Sequence, residues 1–319
     1  RRHVEYYGGL KSLKNPRAAA DTGLTMSQLP MGRLPGTLGP EATEFIGHLQ
    51  LDLARLELEL PGFPEVTLSL QQLLADEAVS MDRVLRVVSS EPLLAARIIR
   101  LASSAALNPR GLPVTDLRNA VIRLGFNALR AAAAGFAITQ VQLAQPYKDV
   151  LPQLTQLKDQ SVSMAAAACV VARHSQRVSP DTALLAGLMT AVGKICLVAR
   201  SASSSYMQAH PEVFQEVMRD WHAEVARELL TRWGVSEDII EAMHGYQTHR
   251  AAKRGLFMLT DVLAVAEVLT APEMTTEMRK ELLESQLAAR RIGLQPQDCV
   301  TLLNDLQAEL ESLRGALAP

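Results

Sequence analysis

A chain of 319 residues, 48% of them apolar and only 4% aromatic, can bury a large core, and its shortage of β-branched runs bounded by turn glycines excludes a sheet protein. Its formal charge of −2 is uneven: residues 1–40 carry Arg1, Arg2, Lys11, Lys14, Arg17 and Arg33 against Glu5 and Asp21, making that arm +4 and the rest −6. An acidic body lacks the basic face on which counterion release drives nucleic-acid binding, so no nucleic-acid partner is expected and the arm reads as a solvated linker.

Residues 8–40 are rich in Gly, Pro and Ser without an apolar period, and read as an irregular arm. From Glu41 the pattern becomes helical, with Phe45, Leu49, Leu53, Leu56 and Leu60 on one face and Pro61-Gly62 as the stop. Ser80 is placed to cap "MDRVLRVVS", and Ser90 to cap a helix whose early Pro92 falls where N–H groups lack intrahelical partners. Thr115 is the expected cap of "DLRNAVIRL", which Gly125 ends; "FNALRAAAAGFAITQVQ" follows as a central helix. After Pro146, "LPQLTQLKDQSVSMAAAACVVARHS" is a second long helix, bent near its start.

Ser179-Pro180-Asp181 opens the helix that carries "AGLMTAVGKICLV", residues 186–198. Trp221 to Trp233 is a helix ended by Gly234, and Ser236-Glu237-Asp238 opens the next. Beyond Gly255 three more helices are expected, broken around Pro272 and Pro296. The fold class is all-α.

Cys169, Cys196 and Cys299 are far apart, odd in number and set in apolar helical patterns, as buried thiols of a reducing compartment would be. The longest uninterrupted apolar run, "MAAAACVVA" at 164–172, falls short of the ~18 residues of a spanning helix, and no secretory signal opens the chain. A cytoplasmic location without a membrane partner is the expectation, and the start at Arg1 without Met reads as either a trimmed N-terminus or a missing upstream segment.

Phosphate-loop and zinc-peptidase chemistry fail on spacing, and no motif suggests a serine nucleophile. A phosphate loop needs four residues between its glycines, then Lys and Ser or Thr, after a strand; Gly187 and Gly193 enclose five, Lys194 precedes Ile195, and "DTALLA" before them reads as helix. "HAEVARE" at 222–228 has a His and a Glu but lacks the second His of a zinc peptidase. His244 and His249 are five apart and straddle Gly245, and a Gly-x-Ser-x-Gly elbow is absent. The small residues of the 186–198 stretch fit a packing seam against "MAAAACVVA".

The order of segments resembles the HDOD domain, an all-helical relative of the HD superfamily of metal-dependent phosphohydrolases. The likeness covers nearly all of 41–319 and rests on "ELPGFPEV", Glu91-Pro92, Ser103-Ser104, the turn from Ala120 to Gly125, "AGLMTAVGK" and "WHAEVARELLTRWGVSEDIIEAM". It implies a helical bundle of two packed subdomains, 41–145 and 146–319, after the 1–40 arm. It also implies that an HD enzyme's His-Asp pair would fall on Thr190-Ala191, its early His on Gln160, and its downstream His-His on Tyr246-Gln247, leaving His222 alone of the set. Thr and Ala cannot replace an imidazole and a carboxylate at a divalent ion, so no metal or other cofactor and no catalytic residue are expected.

The resemblance implies a non-catalytic module of bacterial signal transduction that acts through signalling proteins, such as a response regulator or a component of a cyclic-di-GMP pathway. A pseudoenzyme accepting a nucleotide or cyclic dinucleotide among Gln160, Thr190, Ala191, His222, Tyr246 and Gln247 is the alternative, and a surviving phosphohydrolase is a third reading. The break at Gln145-Pro146 is a candidate switch between the two halves. Arg250 and Arg254 read as a solvated helical face, and Trp221 and Trp233 as core.

Overall fold

A computed structural model describes residues 40–55, 65–76, 78–103, 108, 114, 116–143, 145–233, 235–248 and 257–317. The arm up to residue 39, Pro61-Gly62, Ser104, Thr115, Gly234, His249, Arg250 and Arg254 lie outside the described residues. The elements in chain order are α1 (Pro40–Arg55), α2 (Glu65–Leu74), α3 (Met81–Ser89), α4 (Pro92–Ser103), α5 (Leu117–Leu143), a 3₁₀ segment (Gln145–Val150), α6 (Leu151–Ser175), α7 (Pro180–Met189) and α8 (Val192–Ser201). There follow α9 (Ser205–Ala209), α10 (Pro211–Arg232), α11 (Glu237–Gln247), α12 (Phe257–Thr270), α13 (Thr276–Ser285), α14 (Leu287–Arg291), a 3₁₀ turn (Pro296–Asp298) and α15 (Cys299–Leu317). The described residues form no strand, and the all-α expectation holds.

Local chemistry sets the helix ends. The Ser80 hydroxyl accepts the N–H of Arg83 at 3.4 Å, and the apolar spacing of α3 buries Val84 and Val88. Ser90 belongs to the end of α3, where its hydroxyl donates to the Val87 carbonyl at 2.7 Å. Glu91, immediately before Pro92, takes the N-terminal position of α4 instead, its carboxylate accepting from Leu93 N–H at 3.4 Å. Asp116 caps α5 by accepting from Asn119 N–H at 2.8 Å. Gly125, at φ 70 and ψ 175, divides α5 into two helical stretches, as its place in the sequence requires.

Three expectations are corrected. The 186–198 stretch is two helices, because at Thr190-Ala191 the ladder tightens to an i→i−3 turn: both the N–H and the hydroxyl of Thr190 donate to the Gly187 carbonyl. The helix expected from Trp221 starts ten residues earlier, at Pro211, whose missing N–H suits a first turn. Beyond residue 256 the described chain has four helices, since Gln286 adopts an extended conformation and its side chain donates to the Ala264 carbonyl, separating α13 from α14.

Helix α6 lies at the centre, in contact with α5, α7, α8, α12 and α15. Its "MAAAACVVA" segment is buried throughout, and the seam expected there forms at Gly187. A Cβ at Gly187 would sit 2.7 Å from both Ala165 Cα and the Met164 carbonyl oxygen. Gly193 forms a second seam with α10: a Cβ there would be 1.9 Å from the His222 carbonyl oxygen. Both close approaches are backbone to backbone, so only glycine fits.

Two stretches, Leu117–Gln140 and Pro180–Ser201, are long and apolar enough to cross a membrane, with mean hydropathies of 1.3 and 1.9. They lie 67% and 89% buried against the rest of the fold, and their apolar character serves the core. Cys169, Cys196 and Cys299 are buried thiols outside any disulfide.

Candidate functional site

The turn at Thr190-Ala191 stands between α7 and α8, held by the two glycine seams on either side. Ala191 is buried, and the Thr190 carbonyl accepts a hydrogen bond from the Gln247 side chain of α11 at 2.8 Å. Two of the six residues expected to mark a former metal pocket are therefore in direct contact. Across the second seam, His222 is half-buried in the middle of α10, not at a helix start. Its Nδ1 donates to the Met218 carbonyl at 2.9 Å, which leaves Nε2 as its acceptor. Burial and the nearby Lys194 ammonium both push the His222 pKa down, against the backbone hydrogen bond that pushes it up, favouring neutral imidazole.

The remaining candidates are occupied otherwise. Tyr246 is half-buried and shares a hydrogen bond with the Glu267 side chain; burial foremost, then the Glu267 charge, raises its pKa. Gln160 is exposed on α6, one position before the buried Ser161. Trp221 and Trp233 are core residues, as expected. His244 is buried in the last turn of α11, with Nε2 3.8 Å from Glu224 Oε1.

These donors do not fit a divalent ion. A main-chain carbonyl already held by Gln247, a methyl group, an amide and a single available imidazole nitrogen cannot supply three or four converging ligands. Among the described residues, His, Cys, Asp and Glu form no group of three that could hold a metal. Two open grooves lie elsewhere. One of about 450 Å³ is lined by Gln72, Arg83 and Arg86, the other, about 490 Å³, by His174, Asp305 and Glu309.

Sequence reasoning overlooked Glu228 and Arg97. Glu228, on α10 one turn after Glu224, has a buried Oε1 with no hydrogen-bond partner, and burial pushes its pKa up to about 7 despite Arg232. Nothing in a single sequence separates it from a solvated helix residue. Arg97 did leave a signal: it falls with Leu94, Ile98 and Leu101 on the apolar face of α4, and all four are buried.

An all-helical bundle with Thr190, Ala191 and Gln247 gathered at the turn between α7 and α8 defines the class: a helical domain of the HD-related kind. More particularly, the chain belongs to the HDOD domain family, which matches residues 60–249. Solved structures share the fold. A candidate metal-dependent phosphohydrolase from Shewanella amazonensis aligns with a TM-score of 0.64 at 22% identity, covering 85% of this chain and 98% of that one. An HDOD domain protein of unknown function from Geobacter sulfurreducens aligns at 0.56 and 22% identity, covering 87% and 96%. A candidate signal transduction protein from Marinobacter aquaeolei aligns at 0.50 and 20% identity, covering 88% of this chain and 67% of that one. Comparison with curated proteins gives no match.

Proposed function

We propose that this chain is a non-catalytic regulatory module of bacterial signal transduction that works by binding other signalling proteins in the cytoplasm, a response regulator or a cyclic-di-GMP pathway component among them. The observation that carries this reading is the Gln247–Thr190 hydrogen bond, which spans the place where a family enzyme would gather its metal ligands. Without a bound ion there is no Lewis acid and no water of lowered pKa, so hydrolysis by the route of the HD enzymes has no means. A nucleotide entering this region would have to displace the same bond, which weighs against the pseudoenzyme alternative. The Marinobacter relative, described as a candidate signal transduction protein, supports the same role.

Two measurements test the reading. Protein purified without chelator is expected to carry less than about one tenth of an equivalent of transition metal. Affinity capture of the full chain from its native cells is expected to retain a signalling protein. Stoichiometric metal together with phosphoester hydrolysis would overturn the proposal.

A further inference from the structure

The two open grooves differ in the charge they leave unanswered. At the one between α6 and α15, Arg173 pairs with Glu309 and His174 with Asp305, so the fold compensates its own cations. The groove of about 450 Å³ lies between α2 and α3, which pack against each other. Ser69, Gln72, Leu73 and Asp76 form one wall, at the helical spacing that puts them on one face of α2 and its exit. Arg83, Arg86 and Val87 form the other, at the same spacing on α3.

Arg83 and Arg86 are exposed one turn apart, and among the described residues neither forms an ion pair. Asp82, the acid beside Arg83, is taken by Arg118 of α5. Asp76 bridges to neither arginine: its Oδ1 accepts from Ala78 N–H at 2.9 Å, and its second oxygen remains an acceptor. Leu73 and Val87 are half-buried and give the groove an apolar surface on each wall.

Two guanidinium forks side by side match the several oxygens of a phosphate. A ligand anionic throughout would be repelled by Asp76, so the groove suits one that carries phosphate at one end and N–H donors at the other, with a flat apolar part between. Guanine meets the second requirement, because its N1–H and N2–H lie side by side where a carboxylate can accept both, whereas adenine presents a donor beside an acceptor. The volume lies within the range of small-molecule sites.

We propose that the α2–α3 groove binds a guanine mononucleotide, with its phosphate on Arg83 and Arg86, its base against Leu73 and Val87, and its N–H edge on Asp76. The Ser69 hydroxyl and the Gln72 amide are the polar partners for the ribose. This site shares no residue with the Thr190 turn and is independent of the non-catalytic role proposed there.

Calorimetric titration of the full chain with GMP, AMP and inorganic phosphate at constant ionic strength tests it. GMP is expected to bind at least about tenfold more tightly than either of the others. The double variant Arg83→Gln/Arg86→Gln, at exposed positions, is expected to keep the native circular dichroism and to weaken GMP binding at least about tenfold. Asp76→Asn retains an acceptor for the Ala78 N–H and is expected to bring GMP and AMP to within about twofold of each other. The absence of saturable GMP binding, equal binding of GMP and AMP by the unaltered chain, or a GMP affinity unchanged in the arginine double variant overturns the proposal.

Discussion

At the scale of a residue, Glu228 makes the molecule's stability depend on pH. Its carboxyl group is held in a buried part of α10, Oε1 lacks a partner, and burial moves its pKa from the ordinary 4.5 to about 7. Below about 4.5 the group is protonated in the folded and unfolded chain alike; above about 7 the folded chain must hold an unfavourable carboxylate. Its contribution to stability is thus full in acid and lost as pH rises through about 7. Glu228→Gln keeps the shape without the charge and is expected to raise Tm by about 3 °C at pH ~8 while changing little at pH ~4.5. Melting curves across that range check it, and an equal gain at both ends would show that charge is not the cause. Gly193 offers a sterically simpler case. An added Cβ meets the His222 carbonyl at 1.9 Å, and no side-chain motion relieves a backbone clash, so Gly193→Ala should cost about 3 kcal/mol in denaturant unfolding.

At the scale of an element, two glycines in helices should respond oppositely to one substitution. Gly47 has helical surroundings in α1 and open space where a Cβ would be, so Gly47→Ala is expected to stabilise by about 0.8 kcal/mol through reduced freedom of the unfolded chain. Gly125 has equally open space but sits at φ 70, ψ 175, a region nearly closed to side chains, and Gly125→Ala should cost about 2 kcal/mol. Urea unfolding of both variants separates the backbone effect from packing, because neither site is crowded. Breaks of this kind were legible because they depend on the residue type at the break. Ser80 and Gly125 act through local geometry that one sequence carries in full. The Thr190-Ala191 break was not legible, because an apolar run without Gly or Pro at the break gives no local reason to stop. There the turn is held by Gly187, three residues back, and by Gln247, fifty-seven residues on.

At the scale of the molecule, the family and the helical class could be read from segment order, and Gly187 could be matched with its partner helix from their shared small residues. Thr190, Ala191 and Gln247 were singled out only through the resemblance to a family pattern. Their present contacts depend on how α8, α10 and α11 meet, which no short motif encodes. The two glycine seams join α6, α7, α8 and α10 through backbone contacts, and the core around them is contiguous. Such a group should open as one cooperative unit, because separating either seam exposes apolar surface on both partners. Cys169 on α6 and Cys196 on α8 report on it: both are fully buried and held as thiols by pKa values pushed up to about 12. In mild denaturant the two thiols are expected to react with a labelling reagent at the same rate, and Gly193→Ala should accelerate both by the same factor. Faster labelling of Cys196 alone would mean that α8 parts from α6 before the core opens, and that the Gly193 seam is a hinge and not a tie.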